Sequence, residues 1–281
     1  MTDRLSSKDT LPGGDRRKSK SEKRMKLLYL LLRISVAGIL IAQIFNRNFE
    51  NVMLCILTLI LFTIPSLIEH KLKINIPDTL EVIILLFIYA AEILGEIRSY
   101  YTAFPMWDTI LHTLNGFLCA AIGFSLIDIL NRNERFKFSL SPFYLALFAF
   151  CFSMTVGVIW EFFEFSMDYF FGMDMQKDTI IQSFHTVLLD PSGGTSPVAV
   201  DQIRDVILVK ADGTQQSLGL GGYIDIGIID TICDLFVNFI GALIFSFLGF
   251  FYIKGRGKGG FVKRFIPTLM RSEKTEGTDE T

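Results

Sequence analysis

Thiols, histidines and net charge are all scarce in this chain: 281 residues hold four cysteines and three histidines, and the formal net charge is only -2. Cys55, Cys119, Cys151 and Cys233 all fall within apolar runs, where a thiol behaves as a small hydrophobe. A disulfide framework and a thiolate metal centre are therefore not expected. There is no Gly-rich loop followed by Lys-Ser/Thr for phosphate binding: Gly255-Arg256-Gly257-Lys258-Gly259-Gly260 has neither the spacing nor a strand before it. There is no Gly-x-Ser-x-Gly nucleophile elbow either. The basic residues gather at the two ends of the chain, opposite an acidic stretch near 168–234, so they suit an anionic membrane surface better than nucleic acid.

Apolar residues make up 51% of the chain, including 27 Phe, and the mean hydropathy is +0.43. A soluble domain of this size could not cover so much apolar surface, which assigns the chain to lipid. Six runs, at about 27–45, 50–68, 80–97, 108–130, 142–167 and 228–252, approach the ~20 residues a helix needs to cross the hydrocarbon. Lipid offers no partner to an unpaired backbone group, so each run is expected to be helical. The expected fold is all-α, a six-helix transmembrane bundle. A basic tail at 1–26 is expected to be disordered, and a polar tail occupies 253–281.

Lys and Arg of short loops stay on the cytoplasmic side. With six spans, the N-terminal tail, Lys71 and Lys73, then Arg132, Arg135 and Lys137, and the C-terminal tail share that side. The expected location is a cell membrane of inner, cytoplasmic type, crossed several times, with both ends in the cytoplasm. Trp107, Trp160, Tyr100, Tyr101 and Tyr169 then fall near the outer interface, which suits amphipathic rings. The segment 172–226 lies outside and is too long for a simple connection. Ile203 to Leu218 reads as a hairpin turning at Ala211-Asp212-Gly213, which makes a small extracytoplasmic cap between helices five and six.

Ionisable groups inside spans call for a reason. Glu92 and Glu96 stand one turn apart late in the third run, Asp108 and His112 early in the fourth. Glu161 and Glu164 come late in the fifth, and Asp230, Asp234 and Asn238 form a stripe entering the sixth. Spacings of three and four put each set on one helical face. Alternating helix direction carries all four sets to one leaflet, where inward-facing stripes would form an acidic pocket. Asp108 and Asp230 taken singly would also suit helix N-termini for dipole reasons. As catalytic candidates the pattern offers His112, Asp108, Glu161, Glu164, Asp230 and Asp234. Glu92, Glu96, His112 and Glu161 are candidate ligands of a hard or borderline divalent cation such as Mg, Mn or Fe, and Asn238 gives polar support. Shared protons among crowded carboxylates would equally serve acid–base catalysis or a proton relay.

On Trp107-Asp108-Thr109 with His112 and Gly116, Trp160-Glu161-Phe162-Phe163-Glu164, and Asp230-Thr231-Ile232-Cys233-Asp234 with Asn238, Gly241 and Ala242, the chain resembles the YjdF-type family of uncharacterised bacterial membrane proteins, itself VanZ-like. The likeness covers roughly residues 80–250. VanZ relatives are linked to glycopeptide resistance, but this chain has a long loop before the sixth helix and lacks their Asp-Lys pair. The resemblance therefore implies a bacterial inner-membrane protein and not a reaction. Three functions stay open at this point: an enzyme acting on a lipid or cell-wall precursor, a small ion-coupled transporter, and a non-catalytic scaffold.

Overall fold

The computed structural model describes residues 13–131, 140–255, 257 and 260–269. Expectations that rest on residues 1–12, on Arg132, Arg135 and Lys137, and on 270–281 lie outside that range. The helices are α1 (Gly13–Phe45), α2 (Phe49–Leu61), α3 (Ile64–Leu72), α4 (Asp78–Ile88), α5 (Tyr100–Ala103), α6 (Trp107–Asn131), α7 (Pro142–Phe171) and α8 (Ile228–Lys254). The strands, two or three residues each, are β1 (Ile74–Asn75), β2 (Ile180–Ile181), β3 (Phe184–Thr186), β4 (Val198–Val200), β5 (Ile207–Val209), β6 (Gln215–Ser217), β7 (Tyr223–Ile224) and β8 (Thr268–Leu269).

Among the described residues, five helices are long and apolar enough to cross a membrane: Lys23–Phe45, Phe49–Lys71 (α2 running into α3), α6, α7 and α8. The run at 80–97 is of another kind. It divides into the 11 residues of α4 and a nine-residue π-helix, Tyr89–Ile97, and it carries Glu81, Glu92 and Glu96. Wide turns of this sort are rare and often mark functional positions. The missing side chain of Gly95 matters here, because a Cβ at that position would lie 2.3 Å from the Tyr101 ring.

The core has two parts. Phe124, Ala120, Ala121, Leu145, Ala149, Ala242 and Phe245 are buried where α6, α7 and α8 pack together. Val36, Cys55, Phe62, Leu85 and Ile93 form a second cluster among α1, α2, α4 and the π-helix. In lipid, helices are drawn together by close packing rather than by water exclusion, and small residues permit it. A Cβ on Gly241 of α8 would lie 2.0 Å from the Thr113 carbonyl of α6, and one on Gly116 of α6 would lie 2.1 Å from the Asn238 carbonyl of α8. The two backbones therefore touch at reciprocal glycines.

The structure departs from an all-α reading outside these helices. The segment between α7 and α8 holds three antiparallel pairs, β2 with β7, β3 with β4, and β5 with β6. In the last pair Val209 faces Gln215 across a turn at Ala211-Asp212-Gly213. The helix read as starting at 27 begins at Gly13, because nothing between Pro12 and the apolar run stops it. The chain past Lys254 also folds back: Val262, Phe265 and Ile266 are buried against the first core, and β8 pairs antiparallel with β1, Thr268 opposite Asn75. The charged residues around this stretch hide a short apolar pattern that a composition-based reading takes for tail.

Candidate functional site

α6 and α8 run side by side with α7, and their reciprocal glycines bring the two polar stripes within reach of each other. His112 Nε2 lies 3.4 Å from Asp108 Oδ1, one turn back on α6, and 3.8 Å from Asp234 Oδ2 across on α8. From α7, Glu161 and Glu164 complete the cluster. Donor atoms of Asp108, His112 and Asp234 lie within 4.8 Å of one another, and so do donor atoms of Glu161, Glu164 and Asp234. The two triads share Asp234.

Burial sets the chemical problem. Glu161, Glu164 and Asp234 are 5%, 7% and 4% exposed. Trp160 Nε1 donates to Glu164 Oε1 at 2.8 Å, yet Oε2 of Glu164 and Oε2 of Glu161 are buried with no hydrogen-bond partner. A buried polar oxygen left unmatched costs about 1–3 kcal/mol, and more when it is charged. No Lys or Arg salt bridge is formed by these carboxylates among the described residues. Such a set calls for a cation or for shared protons.

A polar floor lies one turn below. Asn238, 1% exposed, accepts from Asn115 Nδ2 at 3.3 Å, and its own Nδ2 faces Met154 Sδ at 3.6 Å. Gly157 makes room for that amide, since a Cβ there would lie 2.7 Å from it. Ser153 Oγ donates to the Gly116 carbonyl at 2.8 Å and ties α7 to α6. At the other end the loop after α7 is tied to the start of α8: the Lys177 amide donates to Asp230 Oδ2 at 2.7 Å, and Gln176 Nε2 donates to Thr231 Oγ1 at 2.6 Å. Asp168 holds that loop by accepting from the Met175 and Gln176 amides. Asp225, outside the helices, accepts from the Thr179, Ile229 and Gly227 amides. Its burial would raise its pKa, but those donors outweigh burial and hold the carboxyl below its ordinary range.

The structure thus gathers five of the expected residues: Asp108, His112, Glu161, Glu164 and Asp234. Asp230 is taken up by the loop and belongs to neither triad. Glu92 borders a cavity of about 470 Å³ that also reaches His112 and Glu164, while Glu96 is absent from its lining. Neither glutamate joins a triad, so of the ligand set read from the sequence only His112 and Glu161 do. Tyr101 and Asn115 line the same cavity. The signal that could have singled out Asn115 is its place three residues after His112, on the same face.

A family model described as "Predicted membrane protein (DUF2238)" matches residues 28–255. The chain belongs to this family. The DUF2238 match takes in most of the first span, the whole of the other four and every residue of both triads, and it supports membrane embedding in a lipid bilayer through several apolar helices. It carries neither the YjdF nor the VanZ name. Comparison with curated proteins and with solved structures finds no match.

Proposed function

We propose that this chain is a six-span membrane enzyme whose Asp108, His112, Glu161, Glu164 and Asp234 hold a divalent cation of Mg, Mn or Fe type just beneath the outer headgroups and act on a lipid or cell-envelope precursor. The observation that carries the reading is the pair of unpartnered, buried oxygens on Glu161 and Glu164 beside the Asp234 and His112 they share a centre with. Oxygen donors with one imidazole suit a hard or borderline cation, and two triads joined at Asp234 set the upper limit at two ions. A cation there would polarise an ester or phosphoester oxygen and acidify a bound water. Glu161 or Glu164 would serve as the base that takes the proton of an attacking water and would return it to the departing oxygen, so that hydrolysis would leave the carboxylates as they began.

Six crossings gain support from a parity argument. β1 precedes the 78–97 run and β8 follows α8, and the two are hydrogen-bonded to each other. Strands that pair must lie on one side of a membrane, so the number of crossings between them is even. α6, α7 and α8 account for three, and the run from Asp78 to Ile97 supplies the fourth. The Lys and Arg distribution then assigns β1, β8 and both ends to the cytoplasm, and the triads to the outer leaflet. The YjdF-type resemblance favours a bacterial inner membrane.

A carrier is the weaker reading, because its site would sit at the midplane between two repeated halves, and the triads gather at one end of α6, α7 and α8. The test is lipid and precursor profiling of cells carrying Glu161→Gln or His112→Ala. Accumulation of one precursor in both is expected. An unchanged profile at wild-type protein level refutes the enzyme.

A further inference from the structure

We propose that the cavity beside the triads is a slot for one hydrocarbon chain of a membrane lipid, open sideways to the bilayer, which makes the substrate class an acylated or prenylated lipid with its polar head at the centre. The inference rests on the proposed function for the head of the substrate, but its evidence is separate.

The cavity, about 470 Å³, lies within the 300–1,000 Å³ usual for a small-molecule site. Its lining comes from α2, α4 and the π-helix, which belong to the second core, and from α6 and α7, which belong to the first. By position along their helices, His112, Glu164 and Glu92 stand at the triad end of the lining, with Asn115, Val156 and Phe87 about a turn or more farther in. The remaining lining is mostly apolar and continues to Leu61, Phe87 and Val156. From Glu164 to Val156 is about 12 Å along α7 at 1.5 Å per residue, from headgroup depth towards the middle of the bilayer. A single long chain with a polar end has this division.

The side wall indicates where such a molecule enters. Ile159, Trp160 and Phe163 line the cavity and yet are 59%, 39% and 42% exposed. These three apolar side chains on a spanning helix give the cavity a flank that is open and apolar, and an entrance past them leads to the hydrocarbon, where the amphiphile in direct reach is a lipid.

The test uses the full chain in nanodiscs of phosphatidylethanolamine and phosphatidylglycerol, doped with a phospholipid carrying a diazirine midway along one acyl chain. Adducts are mapped after illumination, and bound Mn²⁺ is measured on the same samples. Wild type is expected to form adducts on the cavity side, at Phe87 to Ala91 and at Val156, besides perimeter adducts such as Phe247. Ala91→Phe and Val156→Phe, which narrow the slot from two different helices, are each expected to lose most inner adducts while keeping perimeter adducts and Mn²⁺. Inner adducts unchanged in both variants, or adducts at the perimeter alone in wild type, overturn the slot. Mn²⁺ binding without inner adducts removes the slot and leaves the centre, and inner adducts without Mn²⁺ do the reverse.

Discussion

Replacing Gly241 with alanine is the sharpest structural perturbation available, because the added methyl would meet backbone rather than a side chain that can swing away. Its Cβ would lie 2.0 Å from the Thr113 carbonyl and 2.9 Å from the Phe117 amide, where ordinary contact begins near 3.4 Å. α6 and α8 must therefore part locally by about 1.4 Å, an overpacking that costs roughly 1–3 kcal/mol. Alanine's better helix propensity returns up to about 1 kcal/mol, so the net effect is destabilising but permits folding. The effect on the centre is larger. His112 and Asp234 face each other across this same seam at 3.8 Å. Two donors bound to one ion at about 2.1 Å cannot stand more than about 4.2 Å apart. Parting the helices takes the pair past that limit, so Gly241→Ala should lower the thermal midpoint in detergent by a few degrees and weaken Mn²⁺ binding disproportionately. Gly38→Ala in α1 is the control, since nothing lies within 4 Å of its added Cβ. Equal melting and equal Mn²⁺ binding in the two variants would refute the close-packed seam as the device that assembles the site.

Three further outcomes follow from other parts of the fold. Asp225, whose folded pKa is depressed, contributes stability that is present above the ordinary carboxylate range and is lost as pH falls through the folded value. The exchange protection factors of the Thr179, Gly227 and Ile229 amides should therefore fall in acid, and Asp225→Asn should lower them at neutral pH by about 1–2 kcal/mol of protection. Phe265, buried and edge-on to Phe117 at 5.1 Å, anchors the returning C-terminal segment. Phe265→Ala should cost about 3 kcal/mol in unfolding measurements and expose the segment to protease. In a cysteine-free background, single cysteines at Asn75 and Thr268 should both label from the cytoplasmic side only, and labelling from opposite sides would break the parity argument for six crossings.

Much of the membrane architecture was legible because lipid enforces it: long apolar runs had to be helices, and α1, α2 with α3, α6, α7 and α8 lie where those runs are. The 80–97 run was harder, since Glu81, Glu92 and Glu96 dilute its apolarity and hydropathy carries no sign of a π-helix. The spacing of Asp108 with His112, and of Glu161 with Glu164, gave the face of each helix. It could not give which faces meet. That depends on Gly116 and Gly241, whose role is visible only as a distance between backbones. Asp230 illustrates the limit: on the stripe with Asp234 by spacing, it is claimed instead by the Lys177 amide of a loop whose path sequence periodicity does not encode. The return of residues 260–269 was hidden for a different reason, because Val262, Phe265 and Ile266, set among basic residues, bury against the first core only once the helices are assembled.

The central claim is that Asp108, His112, Glu161, Glu164 and Asp234 form one cation centre. Its most direct test is Mn²⁺ titration of the purified chain followed by electron paramagnetic resonance, in wild type and in Glu161→Gln, Glu164→Gln and Asp234→Asn. Saturable binding of one or two ions by wild type is expected, with weakening in each glutamine variant and the greatest loss in Asp234→Asn, which belongs to both triads. Absence of saturable binding in wild type, or equal binding in all four proteins, contradicts it.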